Sequence, residues 1–443
     1  LAIRIGRDKI LILGFFIIVI LLGSILLALP GVFASRRLGY IDALFTATSA
    51  VCVTGLITVD TAQFSIFGQI VILVLIQTGG LGIIAFTTLF VALPRRRISI
   101  ISQGVISDYT LPEVEFRPKT VLKAIVKYTL VFEAFGFAIY ALRFSALDQP
   151  LGSALFHALF HAVSAFCNAG FSTFTNSLEN FRGDILVNGV TMTLILLGGI
   201  GFIVIKDLRK FLFGQRTHLS FHSKIVFKTS AALVLVGTVA FFILEYQGAM
   251  QGFSFGERLL ASLFQAVTPR TAGFDTIAQS ELGPGSRFLT ILLMFIGASP
   301  ASTGGGVKTT VFFVIMMTAF RYHETSDTIC VDGRSLSPKT VEKAIGVAVK
   351  AFGIILLMAV LISLAESAHG HEMQFSDIIF ETFSALGTVG LSTGITSTLG
   401  GISKALIIAT MFIGRVGLFA LALPKTERDV EGYALLPKAD IIL

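Results

Sequence analysis

The segment SAVCVTGLIT at residues 49–58 recurs three more times, as SAFCNAGFST at 164–173, VTPRTAGFDT at 267–276 and SALGTVGLST at 384–393. Each places a glycine (Gly55, Gly170, Gly273, Gly390) three residues ahead of a threonine (Thr58, Thr173, Thr276, Thr393). Repeats of this kind decide an architecture. Four copies in one chain imply a four-part object around a common axis, where one glycine from each part can meet the others.

The setting for those copies is apolar. The 443 residues are 54% hydrophobic and only 14% charged, against about 25% charged in a soluble domain. The mean hydropathy is +0.84. This composition predicts an integral membrane protein whose surroundings are a lipid bilayer. The net charge of +7 does not point to a nucleic-acid partner, because the basic residues sit in loops between apolar runs. Cys52, Cys167 and Cys330 show neither a disulfide framework nor metal-ligand spacing, and read as small packing residues.

Apolar runs of about 20 residues qualify as membrane helices. The first of each pair is expected over 10–30, 121–143, 225–247 and 341–365, and the second over 66–93, 185–205, 287–320 and 402–423. Between them lie segments 40–52, 151–167, 255–269 and 375–387, too short to cross and each ending at a glycine motif. Non-helical backbone at membrane depth is tolerated only where it is buried in protein or lines a watery cavity. Each short segment therefore reads as a half-helix that enters the membrane and returns as an extended loop. Register supports the repeat. Ten residues before the glycine stand Phe45, Phe160, Leu263 and Phe380, and six before stand Ser49, Ser164, Val267 and Ser384. The second helices carry a matching glycine at Gly79, Gly198, Gly297 and Gly414. The expected class is all-α integral membrane, with eight spanning helices and four re-entrant ones. The repeats are expected at 1–97, 98–214, 215–325 and 326–443.

Arg4, Arg7, Lys9, Arg95, Arg96, Arg97, Lys119, Lys123, Lys206, Arg209, Lys210, Arg216, Lys224, Arg321, Arg334, Lys339, Lys343, Lys425 and Arg428 fall on one side of this arrangement. The other side carries Asp42, Asp60, Asp148, Asp184, Glu257, Asp275 and Asp377. The positive-inside rule puts both termini in the cytoplasm. The half-helices then enter from outside, and acidic mouths would concentrate cations there.

A dehydrating cation needs replacement oxygens, which backbone carbonyls supply when successive C=O groups face one way. Glycine permits the left-handed dihedrals such a loop needs. A half-helix whose C-terminus faces the cavity adds partial negative charge. The ring of carbonyls would come from the four glycines and the residues before them: Val53 and Thr54, Asn168 and Ala169, Thr271 and Ala272, Thr388 and Val389. The +3 threonine hydroxyls are candidates to hold the loops. Span 287–320 is interrupted by GASPASTGGGVK at 297–308, where Pro300 and three consecutive glycines disfavour a helix. It should break there, making Gly304, Gly305 and Gly306 a candidate gate. A nucleotide P-loop is excluded, because Val307 separates the last glycine from Lys308. Arg415, inside IIATMFIGRVGLFALAL at 407–423, is costly in lipid and should face the pore or the interrupted loop. Lys308 reads either as a gate residue or as one snorkelling to the cytoplasmic edge. His157 and His161 read as packing or hydrogen-bonding residues, and Glu133 as a buried acid without a named partner.

These loops and the broken helix make the chain similar to the Trk/Ktr/HKT superfamily of potassium transporters, whose fold repeats a helix–pore loop–helix unit four times. The resemblance covers nearly the whole chain, and the interrupted loop resembles the intramembrane gating loop of the Ktr membrane subunit. It implies potassium as the substrate, Gly55, Gly170, Gly273 and Gly390 as the filter glycines, and a preference for potassium over sodium. It implies an arginine at Arg415 projecting below the filter, a homodimer in the plasma membrane, and sodium as an activator. It also implies a cytosolic ring of nucleotide-binding (RCK-type) subunits that carries ATP or ADP, with no organic cofactor in this chain. The unequal flanking residues suggest a less selective filter than four identical loops would make. Two rivals stand beside this reading. One is a sodium- or proton-coupled symporter, against which four parallel repeats argue. The other is an intramembrane enzyme, for which no catalytic constellation is found.

Overall fold

The computed structural model describes residues 7–33, 38–92, 118–321 and 329–417. The expected repeat boundaries at 97/98 and 325/326 fall outside these residues. So do Arg4, Arg95, Arg96, Arg97, Lys425, Arg428, and residues 418–423 of the expected last helix.

The first repeat holds α1 (Arg7–Leu27), the short α2 (Tyr40–Val51) and α3 (Ile66–Ala92). The second holds α4 (Pro118–Phe144), α5 (Leu151–Cys167), α6 (Ile185–Gly199) and α7 (Phe202–Leu212). In the third come α8 (Phe221–Leu244), α9 (Phe255–Val267), α10 (Pro284–Phe295) and α11 (Thr309–Arg321). An antiparallel hairpin of β1 (Ile329–Val331) and β2 (Arg334–Leu336) follows, a small departure from the all-helical expectation. The fourth repeat holds α12 (Pro338–Ala368), α13 (Phe375–Gly387) and α14 (Gly401–Phe412), which runs into a π-helical turn at Ile413–Gly417.

Five of these helices, α1, α3, α4, α8 and α12, are long and apolar enough to cross a bilayer, and α6 with α7 makes a sixth if taken as one bent span. Their outward faces are apolar: Ile18 and Leu22 on α1 and Leu235 and Val236 on α8 are exposed, whereas Phe16, Leu27 and Phe241 are buried. Such two-sided apolarity is what a helix between lipid and core requires. The expected continuous span over 185–205 is corrected, since α6 and α7 meet at a 102° bend. The cause is local. Gly201 has φ +93, and a Cβ there would strike the Pro300 carbonyl of the interrupted loop. The helix turns aside because that loop occupies its path.

The short helices α2, α5, α9 and α13 bury their C-terminal halves. Phe45, Phe160, Phe264 and Phe380 are all at most 1% exposed, and they seat the half-helices in the core. The third repeat is offset by one residue from the expected register, because Phe264 rather than Leu263 takes the buried position. Helix α9 starts at a capping box between Ser254 and Glu257, which satisfies two amide donors that would otherwise lack partners.

Candidate functional site

Each short helix ends in the same device. In the first, second and fourth repeats an amide reaches back five residues to the last helical turn: Thr54 to Ser49 at 2.8 Å, Ala169 to Ser164 at 2.8 Å and Val389 to Ser384 at 2.9 Å. In the third the reach is four residues, from the Ala272 amide to the Thr268 carbonyl at 3.0 Å, with the Gly273 amide 3.4 Å from the same oxygen. Such closures hold the intervening residue left-handed, a place glycine usually takes. Here Val53, Asn168, Thr271 and Thr388 take it, at φ 54, 59, 69 and 51. Three of the four are β-branched, for which this conformation is a genuine outlier, costing about 1–3 kcal/mol each. Two residues on, Gly55, Gly170, Gly273 and Gly390 are left-handed again, at φ 96, 71, 74 and 98. The same double left-handed step thus occurs four times.

The four glycines meet. A Cβ on Gly55 would lie 2.5 Å from the Ala169 carbonyl oxygen, 3.1 Å from Gly170 Cα and 3.3 Å from Gly390 Cα. On Gly170 it would lie 2.9 Å from the Ala272 oxygen and 3.0 Å from Gly273 Cα. On Gly273 it would strike the Val389 oxygen, and on Gly390 the Thr54 oxygen. The contacts run once around, each glycine against the carbonyl preceding the next glycine. Any side chain there would displace an oxygen of the neighbouring loop.

Hydroxyls on the short helices hold these loops, though not as expected. Ser49 and Ser384 accept from the Gly55 and Gly390 amides, each at 3.0 Å. Ser164 donates to the Phe171 carbonyl and Thr268 to the Phe274 carbonyl, each at 2.7 Å. Thr268, one position past Val267, does the serine's task in the third repeat. Of the +3 threonines only Thr173 has a hydroxyl partner, His157 Nδ1 at 2.6 Å; the buried Thr58, Thr276 and Thr393 hydroxyls have none. The expectation that these threonines brace the loops holds for Thr173 and is corrected for the other three.

The second helices pack against the half-helix ends. A Cβ on Gly79, Gly198 or Gly414 would strike the carbonyl of Val51, Phe166 or Leu386, each four residues before the ring glycine of its repeat. Gly297 faces the Gly305 carbonyl of the interrupted loop instead.

That loop lies directly beneath the ring. A Cβ on Gly304 would strike the Thr271 hydroxyl, and one on Gly305 the Thr388 hydroxyl. It is stitched to its surroundings: the Gly297 amide to the Val307 carbonyl at 2.8 Å, Ser299 to Gly199 at 2.9 Å, Thr303 to Gly198 at 3.1 Å, and Phe202 to Ala301 at 2.8 Å. Gly306, at φ +67, closes it. Lys308 Nζ donates to the Gly304 carbonyl at 2.7 Å and lies 3.4 Å from that of Gly305, so the lysine turns onto the loop. Arg415, 2% exposed, donates to the Thr303 carbonyl and, at 3.1 Å, to that of Gly79. One guanidinium thus joins the loop to the first repeat.

The remaining candidates find ordinary partners. His157 contacts Ser153 and Thr173, and His161 contacts Ser172 and the His157 carbonyl. Glu133 accepts from Gln77 Nε2 at 3.2 Å, a neutral partner rather than a base. The acids expected to charge the outer mouth are mostly engaged. Asp42 pairs with Lys404, Asp184 with Arg143 and Asp377 with Arg287. Asp60 and Asp184 cap helices, and Asp275 accepts from Gln279. Their field toward solvent is weaker than a bare count implies. In the loop after the second glycine segment, burial and then the neighbouring Glu281 raise the Glu179 carboxyl above its ordinary value.

Two buried groups near the ring escaped the sequence reading. Arg270, three residues before Gly273, is 6% exposed and bonds Ser230 Oγ at 3.0 Å. Glu381, in α13, is 1% exposed and accepts from Ser392 at 3.1 Å and from Thr396. Each is a charge within an apolar half-helix or its loop, which was the available signal.

The profile of the TrkH family, described as cation transport protein, matches residues 4–429. The chain belongs to that family, as a multi-pass membrane protein. It is 38% identical over 433 residues to the Ktr system potassium uptake protein B of Bacillus subtilis, covering 96% of this chain and 95% of that one. It is 36% identical over 420 residues to the protein of the same name from Vibrio alginolyticus, covering 94% and 90%. The crystal structure of the potassium transporter TrkH from Vibrio parahaemolyticus superposes with a TM-score of 0.74 at 21% identity, covering 95% of this chain and 85% of that one, a likeness of fold.

Proposed function

We propose that this chain is the pore-forming subunit of a potassium uptake system. The observation that carries the reading is the closed ring of Gly55, Gly170, Gly273 and Gly390, each facing the carbonyl that precedes the next glycine. Potassium sheds its water where carbonyl oxygens replace it. The oxygens of Thr54, Ala169, Ala272 and Val389 form the first level, and those of Val53, Asn168, Thr271 and Thr388 the level beneath. The C-terminal ends of the four half-helices add partial negative charge. The membrane potential, about 2.3 kcal/mol per charge per 100 mV, drives entry.

Below the filter, Gly304–Gly306 form the gate, held shut by Lys308 and Arg415. Both are cations on the conduction path, so they also repel the permeant ion. The four repeats divide near 97, 214 and 325, with both termini cytoplasmic in the plasma membrane. The relatives named as Ktr system proteins support a working assembly with other subunits. We assign this chain a homodimer on a cytosolic RCK-type ring that binds ATP or ADP, with sodium as an activator. Expression in a potassium-uptake-deficient cell should restore growth at low potassium, and Gly273→Ser should abolish the preference over sodium. Failure of rescue by a chain shown to reach the membrane together with its regulatory ring overturns the proposal.

A further inference from the structure

We propose that Ser172 and Ser392 are positioning residues for ion selectivity, each oriented by an acceptor on its own half-helix, His161 and Glu381. This rests on the reading of the four loops as the filter.

Both serines stand two residues after a filter glycine. Both accept an amide two residues further on, Ser172 from Phe174 at 3.0 Å and Ser392 from Gly394 at 2.9 Å. That bond turns the chain outward from the filter, and it leaves the hydroxyl proton free to donate. In both repeats the proton has an acceptor nine residues ahead of the glycine: His161 Nε2 at 2.9 Å, nearer than the Ser177 carbonyl at 3.4 Å, and Glu381 Oε1 at 3.1 Å, with Thr396 Oγ1 3.0 Å from the Ser392 hydroxyl. The His161 tautomer follows from its other contact. Nδ1 lies 2.7 Å from the His157 carbonyl, which only accepts, so Nδ1 carries the proton and Nε2 receives the serine.

The two acceptors are unrelated chemically yet hold the same place. Both are at most 1% exposed. Glu381 makes no ion pair among the described residues, and its Oε2 has no hydrogen-bond partner there. A buried acid so poorly compensated is costly. Its remaining oxygen is spent on Ser392 and Thr396, on the far side of the filter loop.

The other two corners differ. In the first repeat the matching residues are Thr46, whose hydroxyl is unpartnered, and Ile57, which has none. In the third, Asp275 follows the glycine, and a Gln265–Gln279 pair reaches it at 2.8 Å and 2.8 Å. Gly170 and Gly390 are opposite corners of the ring, since each touches Gly55 or Gly273 but not the other. Two direct braces thus span one diagonal. A carbonyl that discriminates between ions must resist collapse onto the smaller one, and a brace behind the loop supplies that resistance.

The experiment compares potassium and sodium uptake by vesicles reconstituted with the full assembly. Ser172→Ala and Ser392→Ala should each lower the potassium-to-sodium ratio about two- to tenfold, the range one buried hydrogen bond carries, with the double variant losing at least the product. Ser392→Thr keeps the hydroxyl and should restore the ratio. Glu381→Gln keeps an acceptor and should stay near wild type, whereas Glu381→Leu should match Ser392→Ala. The inference falls if the alanine variants keep the wild-type ratio while Gly273→Ser loses it, or if Ser392→Thr is as poor as Ser392→Ala. Should Gly273→Ser also keep the ratio, the filter reading fails instead. If Ser392→Ala does not reach the membrane, Ser172→Ala and the Glu381 pair still decide.

Discussion

Helix α3 and the pair α10–α11 occupy equivalent places in the first and third repeats, and they are built differently. Helix α3 runs unbroken over 27 residues, and its Gly79 sits against the Val51 carbonyl at the end of a half-helix. In the third repeat the equivalent Gly297 sits against Gly305 of an interrupting loop. The same glycine thus packs against a half-helix end in one repeat and against the interrupting loop in another. On the function proposed above, conduction belongs to what the four repeats share, and gating to the one place where they diverge.

The sharpest way to break that comparison is at the shared ring. Gly273→Ser places a Cβ against the Val389 carbonyl, displacing an oxygen from the neighbouring loop. We expect the potassium preference to fall at least about tenfold, equivalent to about 1.4 kcal/mol of differential binding. Competitive uptake of potassium and sodium measures it. A preference within twofold of wild type removes the filter assignment.

The divergent element comes next. Deleting Gly304–Gly306 should raise flux on the order of tenfold, with selectivity preserved because the ring is intact. Potassium and sodium flux into vesicles reads both quantities. Unchanged or reduced flux in a well-folded deletion variant shows that the loop is not the barrier. Arg415→Ala should act in the same direction with a smaller effect. It removes hydrogen bonds to the Thr303 and Gly79 carbonyls, each worth about 1.5–3 kcal/mol for a charged donor. It also lifts a cation from the path. If Arg415→Ala lowers flux, the arginine supports the open pore rather than the closed one.

The contrast also explains what the sequence disclosed. The half-helices lie within two residues of their expected bounds, because length, apolarity and the following glycine all act locally. The shared glycines were legible because four copies kept one offset. The third-repeat slip was not, since Thr268 substitutes for a serine one position away, and the Phe274 carbonyl bond and the burial of Phe264 reveal it. Nor was the 102° bend after Gly199. Its cause, the Pro300 carbonyl, comes from a segment about 100 residues later. Glu381 reads as an isolated acid until the loop folds back and brings Ser392 and Thr396 to it.

The smallest expected effect tests how the ring of repeats is closed. Lys404 at the start of α14 bonds Asp42 at the start of α2 at 2.7 Å, joining the fourth repeat to the first. Both side chains are mostly buried, 12% and 16% exposed, so the pair is screened less than a surface one. Lys404→Met leaves Asp42 unpaired at a cost of about 1–3 kcal/mol. The thermal midpoint should fall while the potassium preference and the flux of the loop-deleted variant stay unchanged. Asp42→Asn should lower the midpoint less, because the amide still accepts a hydrogen bond, and the double variant should lose less than the sum. A change in selectivity without a change in midpoint would mean that this outer pair acts on the filter, and the division between shared and divergent parts would have to be redrawn to include the seam where the first and last repeats meet.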